Sequence, residues 1–271
     1  MYQLTAFLFI IFSLSSLLAN GENNLNTYFE ECGVDGSITI YHSESNSWIY
    51  SDSTDAERET LPASTFKIPN SLIALERSII TDKHEIMEWD GTENTFFGNR
   101  IDAWNQDTDM ITAFRTSAIW FYERLANKIG KEYYKQFLDD ISYGNSDFSE
   151  PGDDFWNFGS FGISPVNQIL FLKNFYREKL PVSNESVDIV KGLMVIETTE
   201  AYTLSGKTGW TKTGEIDIGW LVGYVEKDTE TWFFATRITK PLIDENPNFS
   251  SCRASITTAV LKNIGVLESL K

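Results

Sequence analysis

The sequence predicts an α+β fold, in which a mostly antiparallel sheet is flanked by helices and interrupted by an all-helical subdomain. β-Strand patterns occur near the start and again in the last third of the 271-residue chain, and helical periodicity fills the region between them. An antiparallel sheet assembled from both ends of the chain is the simplest arrangement that accommodates this order. We expect residues 22–62 and 192–271 to form the α/β part of a single unit, and residues 63–191 its helical part.

The first predicted element is a β-hairpin. Residues 36–41 and 48–50 consist largely of β-forming residues, and the polar segment between them is rich in turn formers. Apolar residues then recur at helical spacing. This pattern predicts a helix that begins near Ser64 and buries one face.

The middle of the chain is predicted to be helical. Two helices are expected at residues 118–129 and 131–138, separated by one glycine. A further amphipathic helix is expected over residues 166–180. Ser164 is a favourable N-cap for it, and Pro165 occupies the first turn, where a missing N–H is tolerated.

The last third of the chain returns to strand patterns. Residues 202–210, 219–225 and 231–238 are rich in aromatic and β-branched residues, and residues 226–228 are suited to a hairpin turn. A helix over residues 255–267 is predicted to close the chain.

The composition excludes several classes of function. The chain carries 22 Lys and Arg residues against 39 Asp and Glu residues, a formal net charge of −17. A nucleic-acid partner is therefore not expected, because such binding needs a basic patch. The two histidines, His42 and His84, cannot supply a three-histidine zinc site, and we expect no metal.

The amino-terminal segment resembles a secretory signal peptide. Residues 1–21 contain no charged side chain, and residues 6–19 form an apolar run that is short for a membrane span. Small residues precede Glu22, where we expect the mature chain to begin. The protein is then exported, to the periplasm if its source is Gram-negative, without stable membrane association. An uncleaved amino-terminal anchor is the alternative.

The two cysteines lie near opposite ends of the mature chain, at Cys32 and Cys252. Neither belongs to a closely spaced metal or redox motif. In an exported protein they can pair, or they can remain two separate buried thiols. The sequence leaves both possibilities open.

Ser64-Thr65-Phe66-Lys67 carries a candidate nucleophile and base. Residues three apart on a helix share a face, so the Lys67 amine can reach the Ser64 hydroxyl. A serine hydroxyl needs a base, and a lysine can serve when burial lowers its pKa. The apolar neighbours Phe66 and Ile68 are suited to provide that burial.

A second motif, Lys207-Thr208-Gly209, lies in a predicted strand. A strand edge beside a nucleophile-bearing helix offers backbone donors and a cation, and the pair of motifs is a known signature of penicillin-recognising serine enzymes. Lys212-Thr213-Gly214 repeats the motif. We favour Lys207, because residues 211–215 are predicted to form the turn after the strand.

These motifs belong to an ordered set that resembles the class D, oxacillinase-type, serine β-lactamases over the whole mature chain. The matching segments are Pro62-Ala63-Ser64-Thr65-Phe66-Lys67-Ile68-Pro69-Asn70-Ser71, Ser117-Ala118-Ile119, Tyr143-Gly144-Asn145, Phe155-Trp156, Lys207-Thr208-Gly209-Trp210 and Ser251-Cys252-Arg253. The resemblance implies the penicillin-recognising serine-enzyme fold. It also implies hydrolysis of β-lactams through an acyl-enzyme on Ser64, and with it antibiotic resistance.

The resemblance also implies roles for the remaining residues. Ser117 would protonate the lactam nitrogen with help from Lys207. The backbone N–H groups of Ser64 and Trp210 would form the oxyanion hole. Further residues would bind the substrate or line the cleft: Ile119, Tyr143, Asn145, Thr208, Gly209 and Arg253. The Arg253 guanidinium would hold the substrate carboxylate with two hydrogen bonds.

In the family the motif lysine is carboxylated by CO2, so the resemblance implies an N-carboxylated Lys67 and no other cofactor. An apolar lining of Phe66, Ile119 and Trp156 would keep the amine neutral, and the Trp156 indole N–H would hydrogen-bond the carboxyl group. The modified lysine would then act as general base in both acylation and deacylation.

Two residues depart from the family pattern. Ile119 stands where the family usually has Val, and its extra methylene would crowd the modified lysine and slow deacylation. Asn157 stands where an apolar residue is usual. A β-lactam sensor and a penicillin-binding D,D-peptidase share the fold and are the alternatives, although a peptidase usually has a polar residue at the position of Ile119. The substrate spectrum and the oligomeric state stay open.

Overall fold

The computed structural model of the protein describes residues 25–267. Its strands, in chain order, are β1 (Asp35–His42), β2 (Ser47–Tyr50), β3 (Thr95–Phe96), β4 (Asn99–Arg100), β5 (Val195–Thr198), β6 (Thr203–Thr213), β7 (Ile216–Lys227) and β8 (Glu230–Pro241). Six of them form one antiparallel sheet in the order β2-β1-β8-β7-β6-β5, while β3 and β4 form a separate hairpin. The predicted α+β class with a mostly antiparallel sheet is confirmed.

Helices cover both faces of this sheet. They are α1 (Thr27–Glu31), α2 (Lys67–Glu76), α3 (Met110–Thr116), α4 (Ile119–Ile129), α5 (Lys131–Asp140), α6 (Pro165–Tyr176), α7 (Asn184–Met194) and α8 (Phe249–Asn263). The helices α1 and α8 pack on one face, and α6 packs on the other. The hydrophobic core between α6 and the sheet continues into the helical part of the chain. The cleft described below lies where that part meets β6.

The helix predicted near Ser64 has a different shape from the expected one. Residues Ala63–Phe66 form a turn of 3-10 helix, and α2 follows from Lys67. We expected one buried face, but every residue from Lys67 to Leu75 is buried. The reason is that α4, α7 and the 3-10 turn all pack against this short helix. Its polar side chains are therefore held in the protein interior.

Several element boundaries differ from the predictions. The strand predicted to end at Trp210 continues to Thr213, so Lys212 lies in β6 and not in a turn. Pairing with β7 extends to this end and supplies the strand hydrogen bonds. The closing helix begins at Phe249, six residues earlier than predicted, and ends at Asn263.

Three helices, α1, α3 and α7, were not predicted, although α3 and α7 each begin with a recognisable cap. The Asp109 side chain accepts a hydrogen bond of 2.8 Å from the Thr112 N–H at the start of α3. The Ser183 side chain accepts one of 3.3 Å from Ser186 N–H at the start of α7. Such residues stabilise helix starts by satisfying free N–H groups.

The predicted signal peptide, residues 1–21, lies outside the described part of the chain. Between residues 25 and 267, none of the helices combines the length and the apolar character needed to cross a membrane.

Cys32 and Cys252 form a disulfide bond, which decides between the two possibilities left open by the sequence. The bond ties the segment after α1 to the first turns of α8. Both helices pack in the same core against the sheet. The disulfide therefore fastens the two ends of the described chain to one another.

We expect the double variant Cys32→Ser, Cys252→Ser to lose about 2–4 kcal/mol in the free energy of unfolding, because the crosslink restricts the unfolded chain. Guanidinium denaturation measures the loss. Reductant should destabilise the wild-type protein by a similar amount and leave the double variant unchanged. Equal denaturation midpoints for the wild-type protein and the double variant, each with and without reductant, would contradict the prediction.

Candidate active site

Ser64 and Lys67 meet at the start of α2. The Lys67 ammonium nitrogen donates a hydrogen bond to the Ser64 hydroxyl at an Nζ–Oγ distance of 3.2 Å. The turn that presents Ser64 is fixed from outside, because the Ala63 N–H donates to the Trp156 carbonyl at 2.9 Å. Ala63 itself has a positive φ of 51°, which an L-residue adopts only under constraint. The hydroxyl and the amine are thus held in contact as predicted from their spacing.

The Lys67 side chain is 1% exposed. Its Nζ lies 4.8 Å from the centre of the Tyr122 ring. Burial lowers the pKa of the Lys67 amine to about 7, while the carboxylates of Glu123 and Asp154 act in the opposite direction. A substantial fraction of this amine is therefore neutral near neutral pH.

Trp156 packs against Phe66, the residue that precedes Lys67. Its ring stacks on Phe66 with a centroid distance of 4.9 Å, and the side chain is 1% exposed. Its indole Nε1–H has no hydrogen-bond partner among residues 25–267. A buried donor without a partner is costly. The indole N–H of Trp156 is therefore free to donate to an additional acceptor.

Ser117 and Lys207 form a second contact across the cleft. Lys207 Nζ donates to Ser117 Oγ at 2.6 Å and to the Thr208 carbonyl at 3.0 Å. Ser117 follows α3 with a left-handed backbone, φ 60°, which turns the chain into α4. Burial, together with the nearby cations of Lys67 and Arg253, holds the pKa of Lys207 well below its usual range. The favoured Lys207, and not Lys212, is the lysine at Ser117.

Gly209 allows β6 to approach the Ser64 turn closely. A Cβ atom at this position would lie 2.8 Å from the Pro62 carbonyl oxygen and 3.2 Å from side-chain atoms of Ala63 and Thr65. Any larger residue would push the strand and the turn apart. The glycine of the motif is thus required by packing between the two elements that carry the site.

A cleft of about 540 Å³ opens above these contacts. Its walls come from the Ser64 turn, the start of α4, β6 and α8. The predicted site residues that line it are Ser64, Ser117, Ile119, Thr208, Gly209, Trp210 and Arg253. Lys67, Trp156 and Lys207 are buried beside it. The structure therefore gathers ten of the twelve predicted residues around one cavity.

Arg253 brings a cation to the cleft from α8. Its guanidinium donates to the Gly209 carbonyl, to the Ser250 carbonyl at 2.9 Å and to the Ser250 hydroxyl at 2.9 Å. Burial lowers its pKa to about 10, so it stays charged at neutral pH. Within residues 25–267 no carboxylate forms an ion pair with it. A buried cation without a counter-ion favours an anionic ligand.

The expectation that Tyr143 and Asn145 line the cleft is corrected by the structure. Tyr143 is 1% exposed and packs on Phe66 in the core. Asn145 joins two loops: its side chain donates to the Ser160 carbonyl at 3.0 Å and accepts from Gly162 N–H at 3.0 Å. Neither residue lines the cavity, because Tyr143 is buried in the core and the side chain of Asn145 is engaged by the two loops.

The cleft has an aromatic rim that was not predicted from the sequence. Phe96 and Phe97 of the β3–β4 hairpin pack on Trp210, with ring centroids 5.3 and 5.4 Å apart. Lys212, from the repeated motif, lies 3.8 Å from the Phe97 ring centre and also lines the cleft. The Phe-Phe-Gly turn of this hairpin was the available sign, since Gly98 has a positive φ of 83°.

Two half-buried carboxylates of the cleft were also missed. Glu123 lies one turn after Ile119 on α4, and Asp154 precedes Trp156 by two residues. Asn157 lines the same wall, and its carbonyl accepts a hydrogen bond of 2.9 Å from the Thr211 hydroxyl. The spacing of Glu123 from Ile119 places both on one helix face, which is the sign that was available.

Comparison with known proteins covers nearly all of the chain. Residues 22–264 match the penicillin binding protein transpeptidase domain. Beta-lactamase OXA-48 of Klebsiella pneumoniae is 38% identical over 237 residues, which cover 88% of this chain and 86% of that protein. Regulatory protein BlaR1 of Bacillus licheniformis is 33% identical over 246 residues, which cover 90% of this chain and 39% of BlaR1.

Solved structures give the same likeness. The crystal structure of a class D beta-lactamase from Sebaldella termitidis matches with a TM-score of 0.85 and 42% sequence identity. The match covers 90% of this chain and 97% of the other. The similarity therefore extends over the fold as a whole and is not confined to the short motifs.

Proposed function

The chain belongs to the class D serine β-lactamases and is a β-lactam hydrolase, and from this premise we propose that it acts through an acyl-enzyme on Ser64 with an N-carboxylated Lys67 as general base. Hydrolysis of the lactam amide would make its host resistant to these antibiotics. The reaction has two steps, transfer of the acyl group to Ser64 and its release to water.

The observation that carries the proposal is the buried contact between Lys67 and Ser64, with 3.2 Å between Nζ and Oγ. A serine hydroxyl is a weak nucleophile unless a base accepts its proton. Only a neutral amine has a free electron pair, and burial lowers the pKa of this amine to about 7. Proximity and neutrality together support a catalytic role for the pair.

The pocket around Lys67 also fits a carboxyl group on the amine. Phe66 and Tyr122 supply apolar walls, and the unpartnered Trp156 Nε1–H supplies a donor suited to a carboxylate oxygen. When bound, the group supplies an anionic base for acylation and deacylation. Lys67 would carry it, and Trp156 would orient it.

Other residues of the cleft are proposed to transfer a proton, to stabilise the oxyanion and to bind the substrate carboxylate. Ser117, held by the side-chain nitrogen of Lys207 at 2.6 Å, is suited to pass a proton to the departing lactam nitrogen. The backbone N–H groups of Ser64 and Trp210 are proposed to stabilise the oxyanion. Thr208 and Arg253 are proposed to bind the substrate carboxylate, since both line the cavity.

We expect Arg253→Ala to raise the KM for benzylpenicillin by about 10- to 100-fold with a smaller effect on kcat, because a charge-assisted contact to the substrate carboxylate is lost. Steady-state kinetics measure both constants. Arg177→Ala is the matched control, since Arg177 is exposed and hydrogen-bonds Ser43 at 2.7 Å away from the cleft. An unchanged KM in Arg253→Ala would exclude this role.

Export is a further part of the proposal. The apolar run within residues 1–21 supports a signal peptide, and a disulfide between Cys32 and Cys252 is typical of an oxidising compartment. Amino-terminal sequencing of protein recovered from the periplasm of an expression host tests it. Mature protein is expected to begin near Glu22, and retention of residue 1 in the membrane fraction would indicate an anchor instead.

Turnover of benzylpenicillin, followed together with intact mass, tests the central proposal. We expect many turnovers per molecule and a transient adduct that maps to the peptide containing Ser64. A single stable adduct without turnover would identify a β-lactam sensor. Release of D-alanine from a peptide ending in D-Ala-D-Ala, without lactam turnover, would identify a peptidase.

A further inference from the structure

Two carboxylates stand in the wall of the cleft beside the proposed base. Glu123 of α4 and Asp154 line the same cavity as Ser64 and Ile119. The two side chains are close enough to interact with each other and with the charge on Lys67. Neither belongs to the motifs that identify the family, and the proposed reaction assigns them no part.

The position of the pair is fixed by contacts outside the cleft. Asn127, one turn after Glu123 on α4, donates to the Asp153 carboxylate at 2.9 Å. Lys131 of α5 donates to the Glu150 carbonyl. These contacts fasten the segment that carries Asp154 to the helices below it. The carboxylates are therefore held beside Lys67 by the fold, and not by their own attraction to it.

This inference rests on the proposed carboxylation of Lys67. We propose that the Glu123–Asp154 pair controls the equilibrium between free and carboxylated Lys67. The pair keeps the affinity of Lys67 for CO2 below the level that the apolar pocket alone would give. In the reaction, the Nζ electron pair forms the bond to the CO2 carbon, the electrons of one C=O π bond move to its oxygen, and a proton of Nζ leaves to solvent. A neutral amine thus becomes an anion. Negative charge nearby opposes this change and also stabilises the competing ammonium form.

The charge on the pair depends on pH. Burial, and to a smaller extent the charge of the neighbouring Asp153, raise the pKa values of both Glu123 and Asp154. The charge of Asp154 further raises the pKa of Glu123, and the charge of Glu150 raises that of Asp154, while contact with Glu123 acts on Asp154 in the opposite direction. The pair therefore takes up protons at a higher pH than free carboxyl groups would, and its negative charge is greatest once the pH exceeds these raised values. The repulsion of a carboxylated Lys67 is then greatest.

Other charged groups around Lys67 do not cancel this effect. Lys207 of β6 is buried, and its pKa is well below the usual range, so its positive charge is diminished. Glu150 is near Asp154 and adds negative charge. Lys131 is directed to the Glu150 backbone. The field at Lys67 from the α4 side is therefore negative.

The test is a titration of the whole protein with ¹³C-bicarbonate at pH 8, with the carboxylated lysine observed by ¹³C NMR. We expect Glu123→Gln and Asp154→Asn each to lower the apparent Kd for CO2 by about threefold, and the double variant to lower it by about tenfold. These are the effects expected when one or two partly buried charges beside the lysine are removed. The difference in Kd between each single variant and the wild-type protein should become smaller as the pH falls.

Glu132→Gln is the control, because it removes the same charge from an exposed position on α5. Its Kd should equal that of the wild-type protein. Unchanged or raised Kd values in Glu123→Gln and Asp154→Asn would overturn the inference. Asp154→Asn alone decides if Glu123→Gln fails to fold. Absence of the NMR resonance in every protein, the wild type included, would instead refute carboxylation itself, and this inference with it.

Discussion

Lys67→Met is expected to lower kcat/KM for benzylpenicillin by about 10³-fold, because it removes the only side chain within hydrogen-bond distance of the Ser64 hydroxyl in the described chain. Methionine keeps the length of the side chain and suits the aromatic pocket. Steady-state kinetics with intact mass spectrometry separate the two steps. We expect acylation to become slow, and any acyl-enzyme that forms to persist.

The same variant should be more stable than the wild type. The pKa of Lys67 is about 7 in the folded protein and near 10.5 in the unfolded chain. Between these values the unfolded state binds more protons, so stability is lowest at low pH and rises as the pH increases through this window. Methionine removes that penalty, and we expect the free energy of unfolding near pH 7 to rise by about 1–4 kcal/mol.

A stable variant with nearly normal turnover would contradict the assignment of Lys67 as the base. Lys173→Met is a suitable control, because Lys173 lies on α6, away from the cleft, and donates a hydrogen bond of 3.0 Å to the Tyr41 hydroxyl. Its activity should match the wild type. The opposite changes in activity and stability expected for Lys67→Met would mark this residue as one retained for catalysis at a cost to stability.

Local spacing was sufficient to predict the centre of the site. Ser64 and Lys67 are one helical turn apart, so their contact follows from backbone geometry. Lys207 was chosen over Lys212 because a strand was expected there, and it is Lys207 that reaches Ser117. The strand in fact includes both lysines. Side chains alternate between the two faces of a strand, so two lysines five residues apart point to opposite faces, and only one of them can lie on the face that meets Ser117.

Burial and long-range contacts were beyond the sequence patterns. Tyr143 lies beside a glycine in a turn, and such a segment has no periodicity that would separate a cleft wall from the core. The β3–β4 hairpin has strands of two residues, too short for a pattern. The meeting of Glu123 with Asp154 joins a helix to a distant loop. In each case tertiary packing decides what local sequence leaves open.

Trp156→Phe is expected to slow deacylation by about 10²-fold and to accumulate the acyl-enzyme. Phenylalanine can retain the stacking on Phe66, whereas the Nε1–H donor is lost. If this donor orients a carboxyl group on Lys67, its removal weakens the base needed to activate water. Intact mass during benzylpenicillin turnover should then show a lasting adduct, and added bicarbonate should restore part of the rate.

Trp232→Phe provides the matched control for this change. Trp232 stacks on His42 at 3.9 Å in the sheet, and its Nε1 likewise lacks a hydrogen-bond partner among the described residues. The two substitutions remove the same chemical group, so only the location differs. A rate loss confined to Trp156→Phe and relieved by bicarbonate would assign the effect to the lysine pocket. Equal rates in both variants and the wild type would mean that the indole donor has no part in deacylation.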